Sequence, residues 1–361
     1  QIPSSWKSLG TMGGKSKEAN QEFQEKMFHL SSNVNRIFLS HGCLKIRWIF
    51  FWATLSWLFI VSAGCQGLFY YPTDKLFFTP QMFGFPHENV YFNNSQGEKL
   101  HGWYLPSRVK PVKGTVLYFH GNAHNISHFL VSVIEFPDAG YNLFTFDYQG
   151  YGLSEGSPDP EGTLADADAA LEYLVKGREQ DPGPVIVFGQ SLGGAIALNW
   201  VGNRKPSQVA AVISESAFAS YQQIAHDKMN DIGILRWFRD PFSRWFFDDR
   251  FAPQPVIHRI TPVPLLIVHG TRDPIVPYHH GLQLFEAASQ PKEFWSIPEG
   301  RHTPMLGPYR RRYWPLLLAY LERALNQSGG PSPVFVKGSE SGPDPVFSSQ
   351  LNYPPGSIKN L

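Results

Sequence analysis

The chain has little of several things, and each shortage removes a class of explanation. Its 361 residues hold two cysteines, Cys43 and Cys65. Both lie upstream of the part that reads as folded, so that part has neither a disulfide framework nor a cysteine-based zinc site. The formal net charge is +1 with both signs interspersed. That gives no basic field and disfavours nucleic acid as a partner. No internal repeat is present. Gly150, Gly152 and Gly156 do not space as a dinucleotide fingerprint, and no acid-terminated β-α-β unit follows them, so no cofactor is expected. Between Trp48 and Tyr71 charged residues are absent altogether.

That uncharged run organises the N-terminal part. Residues 1–43 are polar and without a sustained apolar period, and are expected not to pack. The chain begins with Gln1 rather than Met, which reads as a fragment, a processed form, or a translation begun too far upstream. In residues 44–68, Lys45 and Arg47 precede the uncharged run, the pattern of a membrane-directed segment. Its most apolar part, Trp48 to Val61, is nearer a signal-peptide core than a full span. Ser62-Ala63-Gly64-Cys65 follows and resembles the cleavage box of bacterial lipoproteins, in which the cysteine is lipidated. The expectation is a membrane-associated protein anchored by lipid at Cys65, on the periplasmic side or the outer membrane if bacterial. An uncleaved single-pass span is the alternative, with aromatic residues on both flanks as interfacial anchors. Residues 327–361 are rich in Pro, Ser and Gly and are expected to be disordered.

Residues 69–326 remain as one body, ample for a large core. Asn89–Asn93 and Leu100–Pro106 flank a turn and predict a hairpin. Apolar strands follow at Gly114–Phe119, Asn142–Phe146, Val185–Phe188, Val209–Ser214, Pro264–His269 and Glu293–Ile297. Helical stretches separate them, ending with one from about Tyr309 to Leu325. Strands alternating with helices predict an α/β architecture with a mostly parallel sheet and helices on both faces.

Gly189-Gln190-Ser191-Leu192-Gly193 sits where the Val185 strand gives way to an Ala/Leu-rich helix. Glycines flanking a serine let strand and helix pass closely and expose the hydroxyl on a strained turn. A serine hydroxyl is a weak nucleophile and needs a base, itself oriented by a carboxylate. Asp273 follows one later strand and His302 the next, where active-site groups of such sheets collect. An oxyanion needs fixed N–H donors. Leu192, just after the serine, and Asn122, in the loop after the third strand, are the candidates, with Ala123 as fallback. His120, His124 and His128 recur at four-residue spacing, but no carboxylate or cysteine completes a zinc set, and no metal is expected. His124 is expected to line the mouth of the site, Asp147 to supply turn chemistry beneath the serine, and His279 and His280 to lie at the surface.

These residues carry a resemblance. Phe69-Tyr-Tyr-Pro72, Phe119-His-Gly-Asn-Ala123, Phe146-Asp-Tyr-Gln-Gly-Tyr-Gly152, Gly189-Gln-Ser-Leu-Gly-Gly194, His269-Gly-Thr-Arg-Asp273 and Gly300-Arg-His302 are together similar to the α/β-hydrolase superfamily. The nearest branch is that of membrane-associated serine hydrolases related to the α/β-hydrolase-domain depalmitoylases. The resemblance spans about Tyr70 to Leu325 and implies Ser191 as nucleophile, Asp273 as acid and His302 as base, in the family's chain order. His124 departs from it, standing where relatives usually have glycine.

The implied activity is cleavage of carboxylic esters or thioesters, with a small or lipid-like acyl ester as substrate. A serine aminopeptidase-like amide hydrolase and a non-catalytic binding lipoprotein on the same fold are the alternatives. A cap is expected over about 216–260, where aromatic residues interleave with Arg and Asp. There Trp237 and Trp245 either line an acyl pocket or pack as core.

Overall fold

The computed structural model describes residues 69–230 and 247–326, together with Trp48, Phe51, Trp52, Ser243 and the backbone of 335–337. The chain divides into two units, Gln1–Gly64 and Cys65–Leu361. In the first, Trp48, Phe51 and Trp52 are helical and exposed, and the Phe51 ring stands edge-to-face with both tryptophans. Among the described residues no helix is long and apolar enough to cross a membrane. Cys65 lies outside the described residues.

In the second unit the hairpin forms as its turn chemistry demands. β1 (Glu88–Asn93) and β2 (Lys99–Leu105) pair antiparallel. Between them the Asn94 side chain accepts the N–H groups of Gln96 and Glu98, and Gly97 takes φ 88°. β3 (Gly114–Phe119), β4 (Tyr141–Phe146), β5 (Val185–Gln190), β6 (Val209–Glu215), β7 (Leu265–Gly270) and β8 (Lys292–Ile297) follow. Every residue of β3, β4, β5 and β7 is buried, as parallel strands covered on both faces should be.

The strands run in the order β9-β8-β7-β6-β5-β3-β4-β2-β1, parallel from β9 through β4 and antiparallel at β4/β2 and β2/β1. This is an α/β-hydrolase fold. β9 is Phe335–Lys337, paired beside Phe294–Ser296. These three residues fall within the tail expected to be disordered, and there the open edge of β8 offers backbone groups that the strand-favouring Phe335 and Val336 can pair with. The rest of the tail lies outside the described residues.

Side chains alternate across the sheet. Leu117 and Phe119 of β3, with Val185 and Val187 of β5, enter one core cluster beneath α2 (Pro160–Lys176) and α3 (Leu192–Arg204). Val116 and Tyr118, with Ile186 and Phe188, enter another beneath α1 (Ile126–Val133) and α6 (Arg310–Asn326). α2 starts where it does because the Asp159 side chain accepts the N–H groups of Glu161 and Gly162 and Pro160 fills the first helical position. In the cap region, α4 (Tyr221–Asn230) and single 3₁₀ turns at Asp249–Phe251 and Ile257–Ile260 are described. Trp237 and Trp245 lie outside the described residues. α5 (His279–Ala287) covers β7.

Candidate active site

The order of the sheet places β3, β5, β6, β7 and β8 so that their carboxyl ends share one edge, and the residues singled out from the sequence follow those ends. Ser191 is the hinge between β5 and α3. It holds φ 54° and ψ −121°, a region that side-chain-bearing residues rarely adopt and that must be held by its surroundings. The two glycines make this turn possible. A Cβ on Gly189 would lie 2.4 Å from the Gly193 carbonyl oxygen, and one on Gly193 would lie 2.2 Å from that of Phe119. The Ser191 N–H donates to the Glu215 carbonyl at 2.8 Å, which pins the turn to β6. The Leu192 N–H opens α3 and has no acceptor within the helix.

On the far side, His302 Nδ1 lies 2.8 Å from Asp273 Oδ2. The other oxygen of Asp273 accepts the N–H groups of Ile275 and Val276, at 2.8 and 2.9 Å. Burial pushes the Asp273 carboxyl up, but the His302 hydrogen bond and charge, the Val276 N–H and His269 together outweigh it and hold the group below its ordinary value. Asp273 is therefore an anion that orients one imidazole. His269 is sealed in the core, donates through Nε2 to the Val276 carbonyl at 2.8 Å, and is drawn down to about 4 by burial. It is a neutral strut for the Asp273 loop. Glu299, beside His302, instead pairs with Arg272 at 2.7 Å at the surface.

The loop after β3 completes the floor. The Asn122 carbonyl accepts the Tyr71 N–H at 2.8 Å and the Tyr151 hydroxyl at 2.7 Å, which fixes the peptide on which its neighbours hang. His120 is fully buried, with Nδ1 2.8 Å from the Gly121 carbonyl, and burial draws it down to about 4 despite the nearby Asp147. Asp147 accepts the Ile126 N–H at 2.8 Å, and its carboxylate fills the space that a Cβ on Gly152 would need. This is the loop-packing role its turn predicts.

Ser191, Leu192 and Asn122 open together onto a cavity of about 520 Å³. Its walls are apolar, with Phe69, Phe218, Ile224, Met229, Phe247 and Val276, and its charged lining residue among those described is Lys228. His124 is not in this wall, which corrects the expectation placed on it. Ala123 and His124 pair with Tyr71–Pro72 in a two-stranded ribbon, and the His124 ring turns away to Phe77 and His128, with centroids 4.8 and 4.3 Å apart.

His280 also departs from its expected surface position. It is fully buried, and its Nδ1 accepts the Ala219 N–H at 3.2 Å. With His279 and Asp227 it makes the group of described residues whose spacing could hold a metal ion. The donor set does not fit one. Since Nδ1 accepts a hydrogen bond, the proton of neutral His280 sits on Nε2, 3.2 Å from Asp227 Oδ2, and a cation there would leave an Nδ1 proton facing an N–H.

Sequence reasoning passed over Glu215. It is fully buried at the end of β6, accepting from Gln190 Nε2 at 2.7 Å and from the Met305 N–H. Its one signal in the sequence is a carboxylate closing a strand of Val, Ala, Ile and Ser.

The serine aminopeptidase, S33, family profile matches residues 110–259. The uncharacterized protein YfhR of Escherichia coli K12 is 33% identical over 261 residues, covering 72% of this chain and 87% of that one. The alpha/beta hydrolase domain-containing protein WAV2 of Arabidopsis thaliana is 32% identical over 263 residues, covering 68% and 82%. Among solved structures, an esterase of Pyrococcus furiosus superposes with a TM-score of 0.60 at 22% identity, over 71% of this chain and 98% of that one.

Proposed function

The chain belongs to the α/β-hydrolase superfamily, and we propose that it is a serine hydrolase cleaving acyl esters or thioesters through an acyl-enzyme on Ser191. In this reading His302 takes the proton of the Ser191 hydroxyl as the oxygen attacks the acyl carbon. Asp273, held ionised, keeps the His302 ring oriented and stabilises the imidazolium that forms. The N–H groups of Leu192 and Asn122 receive the developing oxyanion. His302 returns its proton to the leaving oxygen or sulfur, and water then repeats the sequence to free the acid. The observation that carries the reading is Ser191, strained in the lining of an apolar cavity, with an oriented Asp273–His302 pair in the loops after β7 and β8 on the same edge of the sheet.

The aminopeptidase profile favours a second reading, amide hydrolysis next to a free α-ammonium. Such a substrate needs an anion beside the serine. The cavity offers Lys228 and no Asp or Glu among its described lining residues, which supports the acyl ester. Fluorophosphonate labelling of Ser191, then turnover of p-nitrophenyl esters of graded length beside aminoacyl anilides, tests both readings. Labelling with preferred ester turnover is expected. Faster anilide turnover would transfer the site to the peptidase reading, and absence of labelling would leave a binding protein. The upstream uncharged segment is proposed to tether the domain to a membrane, where lipid-like esters are concentrated.

A further inference from the structure

Glu215 is a carboxylate with no exposed surface, enclosed between the strand end that carries Ser191 and the loop that carries His302. One oxygen accepts from Gln190 Nε2 at 2.7 Å, and Gln190 is in turn fixed by the Tyr118 hydroxyl donating to its amide oxygen. The other accepts the N–H of Met305, three residues past His302. The Glu215 main-chain carbonyl takes the Ser191 N–H at 2.8 Å. The next residue continues the bracket: Ser216 Oγ accepts the Thr303 N–H at 3.1 Å, and Ser216 and Thr303 take φ 54° and 46° to make that contact. One dipeptide thus touches the chain on both sides of the site.

We propose that Glu215 is a positioning residue that, as a buried anion, locks Ser191 to His302 and stabilises the imidazolium formed during turnover. Burying a carboxylate is costly unless it is hydrogen-bonded, and both of its oxygens face N–H donors, which favours the charged form. Burial still pushes it up to about 7, against Gln190, the Met305 N–H and the charge of His302. The charges that act on it are that of His302, which favours its anion, and that of Asp273, which opposes it; Tyr118 lies behind Gln190. A neutral carboxylic acid or an amide at this place brings a donor to one side of the bracket, which is met only if the Gln190 amide turns over and the Tyr118 hydroxyl rotates to accept, so the bracket is loosened or rebuilt.

This inference rests on the reading of Ser191 and His302 as nucleophile and base. Two substitutions separate reach from charge. Glu215→Gln keeps the length and removes the anion. Its kcat is expected to fall about 10²-fold with KM little changed, as a displaced base loses alignment. The acid limb of the kcat/KM profile should move to lower pH, because an imidazolium without its neighbouring anion loses its proton more readily. Glu215→Asp keeps the anion but is too short to meet both donors, so kcat should fall with the acid limb in place.

A wild-type kcat in Glu215→Gln, or a fall in kcat with its acid limb unmoved, would overturn the proposal. If Glu215→Gln does not fold, Tyr118→Phe decides through the same chain of bonds: loosening Gln190 should lower kcat by about 3-fold to 10-fold, and an unchanged kcat would overturn it. Fluorophosphonate labelling of the wild type keeps the two readings apart. Failed labelling removes the serine chemistry itself, whereas labelling with an unaffected Glu215→Gln removes only this role.

Discussion

His302 and Asp273 are joined by a 2.8 Å hydrogen bond from Nδ1 to Oδ2, while the second oxygen of Asp273 is occupied by two backbone N–H groups. The carboxylate therefore has no freedom to choose another partner, and the ring is left with Nε2 for other work. If the pair serves Ser191, the three must fail together. Ser191→Ala and His302→Ala should each lower ester turnover by about 10⁴-fold to 10⁶-fold, with the double mutant little worse than either. Asp273→Asn should also be severe, since an amide favours neither the needed tautomer nor the imidazolium. Additive losses in the double mutant would contradict a shared mechanism.

Asp166 predicts a pH dependence of stability of its own. It accepts from Asn94 Nδ2 at 2.7 Å and the Gln149 N–H at 2.8 Å. Burial raises it from an ordinary value of 3.8 to about 7, against those two hydrogen bonds. The folded state holds this proton more tightly than the unfolded chain does. The contribution is complete below the unfolded value and is lost as pH rises through about 7. Asp166 thus pulls denaturant midpoints down between about pH 4 and pH 7, while the buried His120 and His269, drawn down to about 4, pull them up over the same range, so Asp166→Asn should make the midpoint climb more steeply with pH than in the wild type. A variant with the wild-type slope would remove Asp166 from the balance.

Gly193→Ala tests the turn. Its new Cβ would meet the Phe119 and His120 carbonyl oxygens at 2.2 and 2.3 Å, both backbone atoms of β3 and the loop after it. Strand and helix must then separate. A loss of about 3 kcal/mol or more is expected in chemical denaturation, with turnover abolished where the protein still folds. Unchanged stability would mean that the close approach of α3 to β3 is not needed.

Chain-length dependence tests the cavity. Each buried CH₂ contributes about 0.8 kcal/mol, so extending an acyl chain from two to eight carbons raises kcat/KM by up to about 10³-fold where the cavity accepts it fully. Ala225 is in the cavity wall on α4. Ala225→Phe should shorten the preferred chain, lowering octanoate turnover far more than acetate turnover. Equal losses for both esters would place the acyl chain outside this cavity.

The proposed tether has a separate test. Cys65→Ser should block processing in a bacterial host and leave a larger precursor, while the wild type should incorporate labelled palmitate. An unlabelled and uncleaved wild type would favour a single span instead.

Much of the architecture was legible because its causes are local. The β5 strand, the glycine pair around Ser191 and the helix after it are written in one continuous stretch, and the strands preceding Asp273 and His302 announce themselves by unbroken apolar runs. What escaped was set by tertiary contacts. Nothing in the neighbourhood of Glu215 distinguishes a buried bracket from a solvated strand end. The four-residue spacing of His120, His124 and His128 says nothing of the ribbon with Tyr71–Pro72 that carries the His124 ring away from the serine. His280 reads as superficial at the start of a helix, yet it is buried and accepts the N–H of Ala219, 61 residues earlier.

The short ribbon joining Tyr71–Pro72 to Ala123–His124 also determines where the working unit starts. Tyr71 holds the Asn122 carbonyl, and Phe69 packs edge-to-face on Tyr221 and Phe247 while lining the cavity. The polypeptide just upstream of the first long strand thus walls the cavity that Ser191 lines and holds the loop after β3. A truncation placed at Glu88 would preserve every strand of the large sheet and still leave that cavity breached on one side. Any pull along the lead-in would meet Phe69 in the cavity wall and Tyr70 in the core before it reached Tyr71 and the Asn122 carbonyl.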